Sequence, residues 1–195
     1  MIEIIDVLRQ EHRDIAKLLS VLERELSVFN RGDRPDYEVI HAVIEFFKDY
    51  PDTCHHPKED IIVKRFQARD PVGAAAIGDL QAEHREGAER LRRVAVAVER
   101  VLSDEELLRQ TVHDIIHDFI DHERKHMETE ERVVFPAVLK ALLPEDWADI
   151  ALKLADRYGS PSEPDFEEKF STLRRNILDL EGAAEEERSN QTPWP

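Results

Sequence analysis

Apolar residues recur every three or four positions along most of this chain, and a histidine takes an equivalent place in two of the series. The first series comprises Ile5, Leu8, His12, Ile15, Leu19, Leu22, Leu26 and Phe29. The third comprises Ile77, Leu80, His84, Gly87, Leu91, Val94, Val98 and Val101. Because this spacing puts side chains on one face of an α-helix, the pattern predicts amphipathic helices with His12 and His84 facing inward.

The second helix is predicted over about residues 36–68, with a one-residue slip in its inward face. The inward residues are Ile40, Val43, Phe47, Tyr50 and Cys54, followed by His55, Glu59, Ile62 and Phe66. The slip lies between Pro51 and Pro57, and a proline removes a backbone donor and bends or widens a helix. We therefore predict a kink or an inserted residue of π-helical type there.

The fourth helix is predicted over about residues 104–143, and the chain continues beyond it. Its predicted inward residues are Val112, Ile116, Phe119, His122, His126, Glu130, Val133 and Ala137. Four long helices with short connections predict an all-α fold, an up-down-up-down four-helix bundle, over residues 1–143. Two additional C-terminal helices, to about Tyr158 and from Asp165 to Leu180, form a predicted extension over residues 144–182. The polar end, residues 183–195, is predicted to be a disordered tail.

The composition limits the partners and the compartment. A formal net charge of −16 argues against nucleic acid, because binding phosphates needs clustered lysine and arginine. No stretch approaches the roughly 20 apolar residues of a membrane span, and the first residues do not resemble a signal peptide. The single cysteine, Cys54, fits a reducing compartment, so we expect a cytoplasmic protein.

An internal duplication concentrates the residue types that bind metals. The sequence Glu-His-Arg occurs at residues 11–13 and 83–85, and a second histidine follows each copy at a nearly equal distance. These later histidines, His55 and His126, each precede a glutamate by four residues. Since residues i and i+4 stack on one helix face, each half presents an imidazole beside a carboxylate. In antiparallel helices all six groups should meet within about one turn, roughly 5 Å.

Burying these groups together without a metal would be costly, because an unpaired buried charge costs several kcal/mol or more. Two cations bridged by the glutamates would remove that cost, and mixed imidazole and carboxylate ligation favours iron or manganese over tetrahedral zinc. The predicted metal ligands are His12, His55, Glu59, His84, His126 and Glu130. The alternative is a histidine-rich core, since a single histidine on an apolar stripe is usually a hydrogen-bonded core residue.

The remaining histidines have weaker patterns. His122 lies one turn before His126 and is a possible additional ligand. His56 points about 100° away from His55, which favours a role behind the ligands or on the surface. His113 and His117 form an i, i+4 pair on the opposite face of their helix, so we predict that they are solvated.

At these residues the sequence resembles the hemerythrin-like (HHE cation-binding) family, over about residues 3–143. The motifs are EHRDIAKLL, CHHPKEDII, EHREGAERL and HMETEERVVFPA, and the following LLPEDWADI resembles an extension of bacterial members. The resemblance implies a non-haem centre of two iron ions (Fe2+/Fe3+) with a bridging oxo or hydroxo species, held by the same six residues. One departure concerns the oxygen carriers, which have a second histidine on the third helix where this chain has Ala88.

The expected function is a di-iron protein that reacts with or senses O2, peroxide or NO. Alternatives are an iron-handling or delivery protein, a reversible O2 binder without turnover, and a structural bundle with vestigial ligands. Expected partners are a small diatomic or peroxide ligand at iron and an iron-accepting or electron-donating protein. The sequence indicates neither the oligomeric state nor whether the protein is an enzyme.

Overall fold

The computed structural model describes residues 3–103, 107–158 and 165–190, and these residues form helices and the turns between them. The α-helices are α1 Glu3–Asn30, α2 Tyr37–Tyr50, α3 His56–Arg69, α4 Pro71–Ala76, α5 Leu80–Leu102, α6 Arg109–Thr129, α7 Phe135–Ala141, α8 Pro144–Tyr158 and α9 Asp165–Asn190. Two π-helical segments, Pro51–His55 and Glu130–Val134, connect α2 to α3 and α6 to α7. The all-helical prediction is therefore confirmed for the described part of the chain.

Aspartates fix where several helices begin. The side chain of Asp36 accepts hydrogen bonds from the first backbone N–H groups of α2. Asp70 and Asp79 cap α4 and α5 in the same way. Such caps satisfy backbone donors that have no partner inside the helix. Gly78 adopts a φ of 85° in the turn before α5, a conformation that glycine reaches without steric cost.

Helix α6 runs in the opposite direction to α1 and to α5. Contacts between α1 and the segment from α6 onward pair His12 with Glu131, Glu23 with Arg124 and Asn30 with His113. Contacts between α5 and α6 pair Glu83 with His126 and Arg93 with Asp118. From one contact to the next, the residue numbers rise on one helix and fall on the other. The polar residues that contact each other therefore lie at the same level along the two helix axes.

The buried apolar residues form two clusters separated by a polar layer. One cluster includes Ile15, Phe47, Leu91 and Phe119, and the other includes Leu8, Ile62, Leu80, Val134 and Trp147. On each long helical segment the predicted metal ligands lie between these two groups. The histidines and glutamates are therefore enclosed by apolar side chains above and below.

The first π-helical segment, Pro51–His55, confirms the widened turn predicted between Pro51 and Pro57. Its last bond runs from the backbone N–H of His56 to the carbonyl of Pro51. The added residue accounts for the change of face, because Cys54 and His55 are both buried. Pro57 cannot donate the next backbone bond, which favours the wider turn.

The second π-helical segment, Glu130–Val134, was not predicted and corrects the inward face of the fourth helix. The added residue rotates the chain, so that Val133 is 47% exposed while Val134 and Val138 are buried. The predicted inward position of Val133 was therefore wrong by one residue, whereas Ala137 is partly buried and packs against the apolar cluster of Val134 and Val138. Pro136 lies two residues after this segment, as Pro57 lies two residues after the first, and it too lacks a backbone donor.

Two boundaries also differ from the sequence prediction. The fourth helix begins at Arg109, and residues 104–106, where its start was predicted, lie outside the described residues. Helix α9 continues to Asn190, so residues 183–190 are helical and not a disordered tail. An ion pair between Arg188 and the fully buried Glu25 of α1 holds this end in place. Residues 191–195 lie outside the described range.

Helix α8 is held against α3 by a buried carboxylate. Asp146 is 0% exposed and accepts hydrogen bonds from Arg65, from Arg69 and from the backbone of Leu143. The Arg69 guanidinium outweighs the effect of burial and holds the pKa of Asp146 well below its usual range. Among the described helices, none combines the length and apolar character that crossing a membrane requires.

Candidate metal centre

The six predicted ligands converge in the polar layer as two histidine pairs joined by two glutamates. The Nε2 atoms of His12 and His55 lie 3.1 Å apart. His84 and His126 form the second pair, with ring centroids 4.9 Å apart. We call these the first and the second histidine pair. A separation of about 3 Å is what two adjacent ligands show when each lies about 2.1 Å from one ion.

Each glutamate directs one oxygen to each histidine pair. Oε1 of Glu59 lies 3.2 Å from Nε2 of His55, and Oε2 lies 3.5 Å from Nε2 of His84. The two oxygens of Glu130 divide in the same way. Oε2 lies 3.3 Å from Nε2 of His12, and Oε1 lies 3.3 Å from Nε2 of His126. This is the arrangement that two carboxylates need to bridge a pair of ions.

Several polar atoms at this centre have no hydrogen-bond partner among the described residues. They are both carboxylate oxygens of Glu59 and of Glu130 and the Nε2 atoms of His84 and His126. A buried polar atom left unsatisfied costs about 1–3 kcal/mol, and native proteins contain few of them. Their convergence in one layer indicates that cations complete the site.

Two groups of possible ligand atoms meet the distances that a cation requires. One consists of His12, His55, Glu59 and Glu130, and the other of His56, Glu59, His84 and His126. The first group is wholly buried, and in the second His56 and His84 are only partly buried. Nitrogen and carboxylate donors in both groups fit iron or manganese, and the centre lacks the thiolates of a structural zinc site.

Without a metal, the centre is an imidazolium–carboxylate network. Burial lowers the pKa of His12, but the neighbouring Glu130 and Glu59 carboxylates outweigh it and raise that pKa to about 9. Against the same effect of burial, Glu59 and Glu11 raise the pKa of His55 to about 10, and Glu130 and Glu59 raise that of His84 to about 9. Burial raises the pKa of Glu59, yet His55 and the other histidines hold it well below its usual value. A cation must therefore displace protons from these imidazoles.

Carboxylates behind the histidines fix their orientation. Nδ1 of His12 donates to Glu131 at 3.0 Å, Nδ1 of His55 to Glu11 at 2.8 Å, and Nδ1 of His126 to Glu83 at 2.8 Å. A proton held at Nδ1 leaves Nε2 with the lone pair that binds a metal. The sequence reasoning missed these three glutamates. The duplicated Glu-His-Arg motif was the available signal, because Glu11 and Glu83 each orient the other histidine of their half.

The remaining histidines are placed as follows. Nε2 of His122 donates to the backbone carbonyl of Glu83 at 3.1 Å, and His122 belongs to neither group of possible ligands. His56 is in the second group, with its ring stacked on that of His84 at 3.6 Å and its Nδ1 donating to Asp52. His117 is exposed, and His113 is partly buried and contacts Asn30.

Replacing Glu11 with alanine should destabilise the protein by about 3–5 kcal/mol, because it breaks a buried charge pair with Lys58 and removes the acceptor of His55. The matched control is Glu83→Ala at the duplicated position. Glu83 is 36% exposed, so we expect a loss of only about 1 kcal/mol there. Urea unfolding of the metal-free proteins measures both values. Equal losses of unfolding free energy in the two variants would contradict the inference that Glu11 makes the more deeply buried contacts.

The fold and the site define a helical protein with a His- and Glu-lined centre for cations. The hemerythrin family model, described as a hemerythrin HHE cation binding domain, matches residues 3–138. The chain belongs to this family. Neither a curated protein nor a solved structure matches it.

Proposed function

We propose that the protein holds two iron ions in an up-down-up-down four-helix bundle. The proposed ligands are His12, His55, Glu59, His84, His126 and Glu130. The observation that carries this proposal is the division of each glutamate's oxygens between the two histidine pairs. One carboxylate shared in this way would serve one ion poorly and two ions well.

We further propose that the centre reacts with or senses O2, peroxide or NO. Iron, when bound, supplies the one-electron chemistry and the open coordination positions that these molecules need. The chain supplies orientation, since Glu11, Glu83 and Glu131 hold three imidazoles through Nδ1. Apolar clusters lie above and below the ligands and limit the access of water from those two directions.

Stopped-flow mixing of the reduced, iron-loaded protein with O2, H2O2 and NO tests this function. We expect a fast absorbance change with at least one of them, and the same change in the control variant His117→Ala, whose imidazole is exposed. Recovery of the starting spectrum on degassing would identify reversible O2 binding. The absence of a fast change with all three molecules would contradict the proposal.

Iron handling is a second candidate, favoured by a wide cavity that has acidic residues in its lining and reaches the centre. The cavity has a volume of about 600 Å3, and its lining includes Glu59, His84, Asp60 and Asp79. Acidic side chains along such a path would favour entry and exit of cations. Rapid loss of iron to a mild chelator and transfer to an apo-acceptor protein would support this function, and iron that resists chelation for hours would exclude it.

We also propose a cytoplasmic location and an electron-donating or iron-accepting protein partner. The one cysteine of the sequence, Cys54, is buried and is not in a disulfide. This fits a compartment in which thiols stay reduced. Fractionation of cells that express the protein tests the location, and recovery in an extracellular fraction would contradict it.

A further inference from the structure

The two histidine pairs differ in how closely the protein encloses them. In the first pair, His12 and His55 are 3% and 2% exposed, and a carboxylate accepts from each Nδ1. In the second pair, the side chain of His84 is 11% exposed. Over the described ranges, no carboxylate accepts from Nδ1 of His84, whose ring is instead stacked on His56. The second pair is therefore the less enclosed half of the centre.

A cavity of about 160 Å3 lies against the second pair, and we call it the His84 cavity. Besides His84 and His126, its lining includes Phe47, Pro51, Gly87, Ala88, Leu91 and Phe119. Neither histidine of the first pair lines it. A cavity of about 150 Å3 is enough for a molecule as large as benzene, so this space accommodates a diatomic molecule or a small linear anion.

Small residues on α5 keep this cavity open. Ala88 lies four residues after His84, on the same face of α5, and it is an exposed residue that contributes only a methyl group to the lining. Gly87 allows Glu123 to approach α5 closely, because a Cβ at Gly87 would lie 2.6 Å from the Glu123 carboxylate oxygen. A larger side chain at either position would occupy the space next to the second pair.

The lining of the cavity combines apolar surface with charges of both signs. Phe47, Leu91 and Phe119 supply the apolar surface, which suits small neutral molecules. The charged residues of the lining are Lys48, Arg92, Asp52, Glu83 and Glu123.

We propose that a small exogenous ligand enters through the His84 cavity and binds at the ion held by His84 and His126. The ion held by His12 and His55 is closed to such ligands and has a structural role. This inference rests on the proposed di-iron centre and adds which half of it is reactive.

Azide binding to the oxidised, iron-loaded protein tests the inference, with Ala88→Phe as the variant that fills the cavity. The control is Val96→Phe, which places the same ring eight residues further along α5 at a position that is 58% exposed. We expect both variants to keep the iron content of the natural protein. Azide affinity should fall by roughly tenfold or more in Ala88→Phe and stay unchanged in Val96→Phe.

A milder variant protects the test against misfolding. If Ala88→Phe does not fold, Ala88→Leu fills part of the same space and should weaken azide binding in the same direction. Unchanged azide affinity in a folded Ala88 variant that retains its iron would overturn the inference. A natural protein that binds fewer than two irons would instead contradict the di-iron proposal, so the two failures are distinguishable.

Discussion

Glu59→Ala should lower the iron content from two ions per chain to about one or fewer, because Glu59 belongs to both groups of possible ligands. No other predicted ligand occurs in both. Its loss removes one carboxylate oxygen from each histidine pair and the bridge between them. Metal analysis gives the stoichiometry, and the near-ultraviolet absorption of an oxo-bridged ferric pair should disappear.

Glu128→Ala is the control for this experiment. Glu128 is two residues before Glu130, but its side chain is 55% exposed and contacts only Arg132 among the described residues. We expect its iron content to equal that of the natural protein. Full iron content in Glu59→Ala would show that the carboxylate does not bind metal, and the ligand assignment would then have to be abandoned.

Iron removal should lower the melting temperature by roughly 16–32 °C. A ligand at a thousandfold excess over its Kd stabilises a protein by about 4 kcal/mol per site, so two ions contribute about 8 kcal/mol. Each kcal/mol shifts the melting temperature of a domain of this size by about 2–4 °C. The physical reason is that the proposed ligands come from α1, the α2–α3 segment, α5 and the α6–α7 segment, so the ions cross-link the fold.

The difference in melting temperature between the iron-loaded and the metal-free protein should widen as the pH rises from about 6.5 towards 9. In the metal-free protein, the pKa of His12 and of His84 is raised to about 9, and that of His55 to about 10. A pKa raised by folding stabilises the protein fully below the unfolded value of about 6.5, and this contribution is lost as the pH rises through the folded value. The metal-free protein therefore weakens, while iron meets less competition from protons.

Thermal unfolding followed by circular dichroism, with and without iron, measures both effects across this pH range. The Glu59→Ala protein is the control, and its two curves should lie closer together because it binds less iron. A melting temperature that is the same with and without iron at every pH would contradict the cross-linking role of the metal.

Helical periodicity explains how much of the centre could be predicted. The spacing of the apolar stripes depends only on neighbours along one helix, so it placed His12 and His84 correctly on inward faces. The duplicated His-x3-Glu pairs work in the same way, because residues i and i+4 meet on any α-helix. Pro51 and Pro57 marked the first π-helical segment in the same local manner, whereas Pro136 alone was too weak a signal to reveal the second.

The sequence by itself determined the all-helical character and the family to which the chain belongs, and it indicated the six residues that the structure brings together. Only the tertiary structure decided the outer carboxylates, the enclosure of one histidine pair and the continuation of α9 to Asn190. The reason is the distance along the chain: Glu11 meets His55 and Glu25 meets Arg188 only after distant helices have packed. The His84 cavity likewise lies between α2, α5 and α6, and no single helix contains the information that it exists.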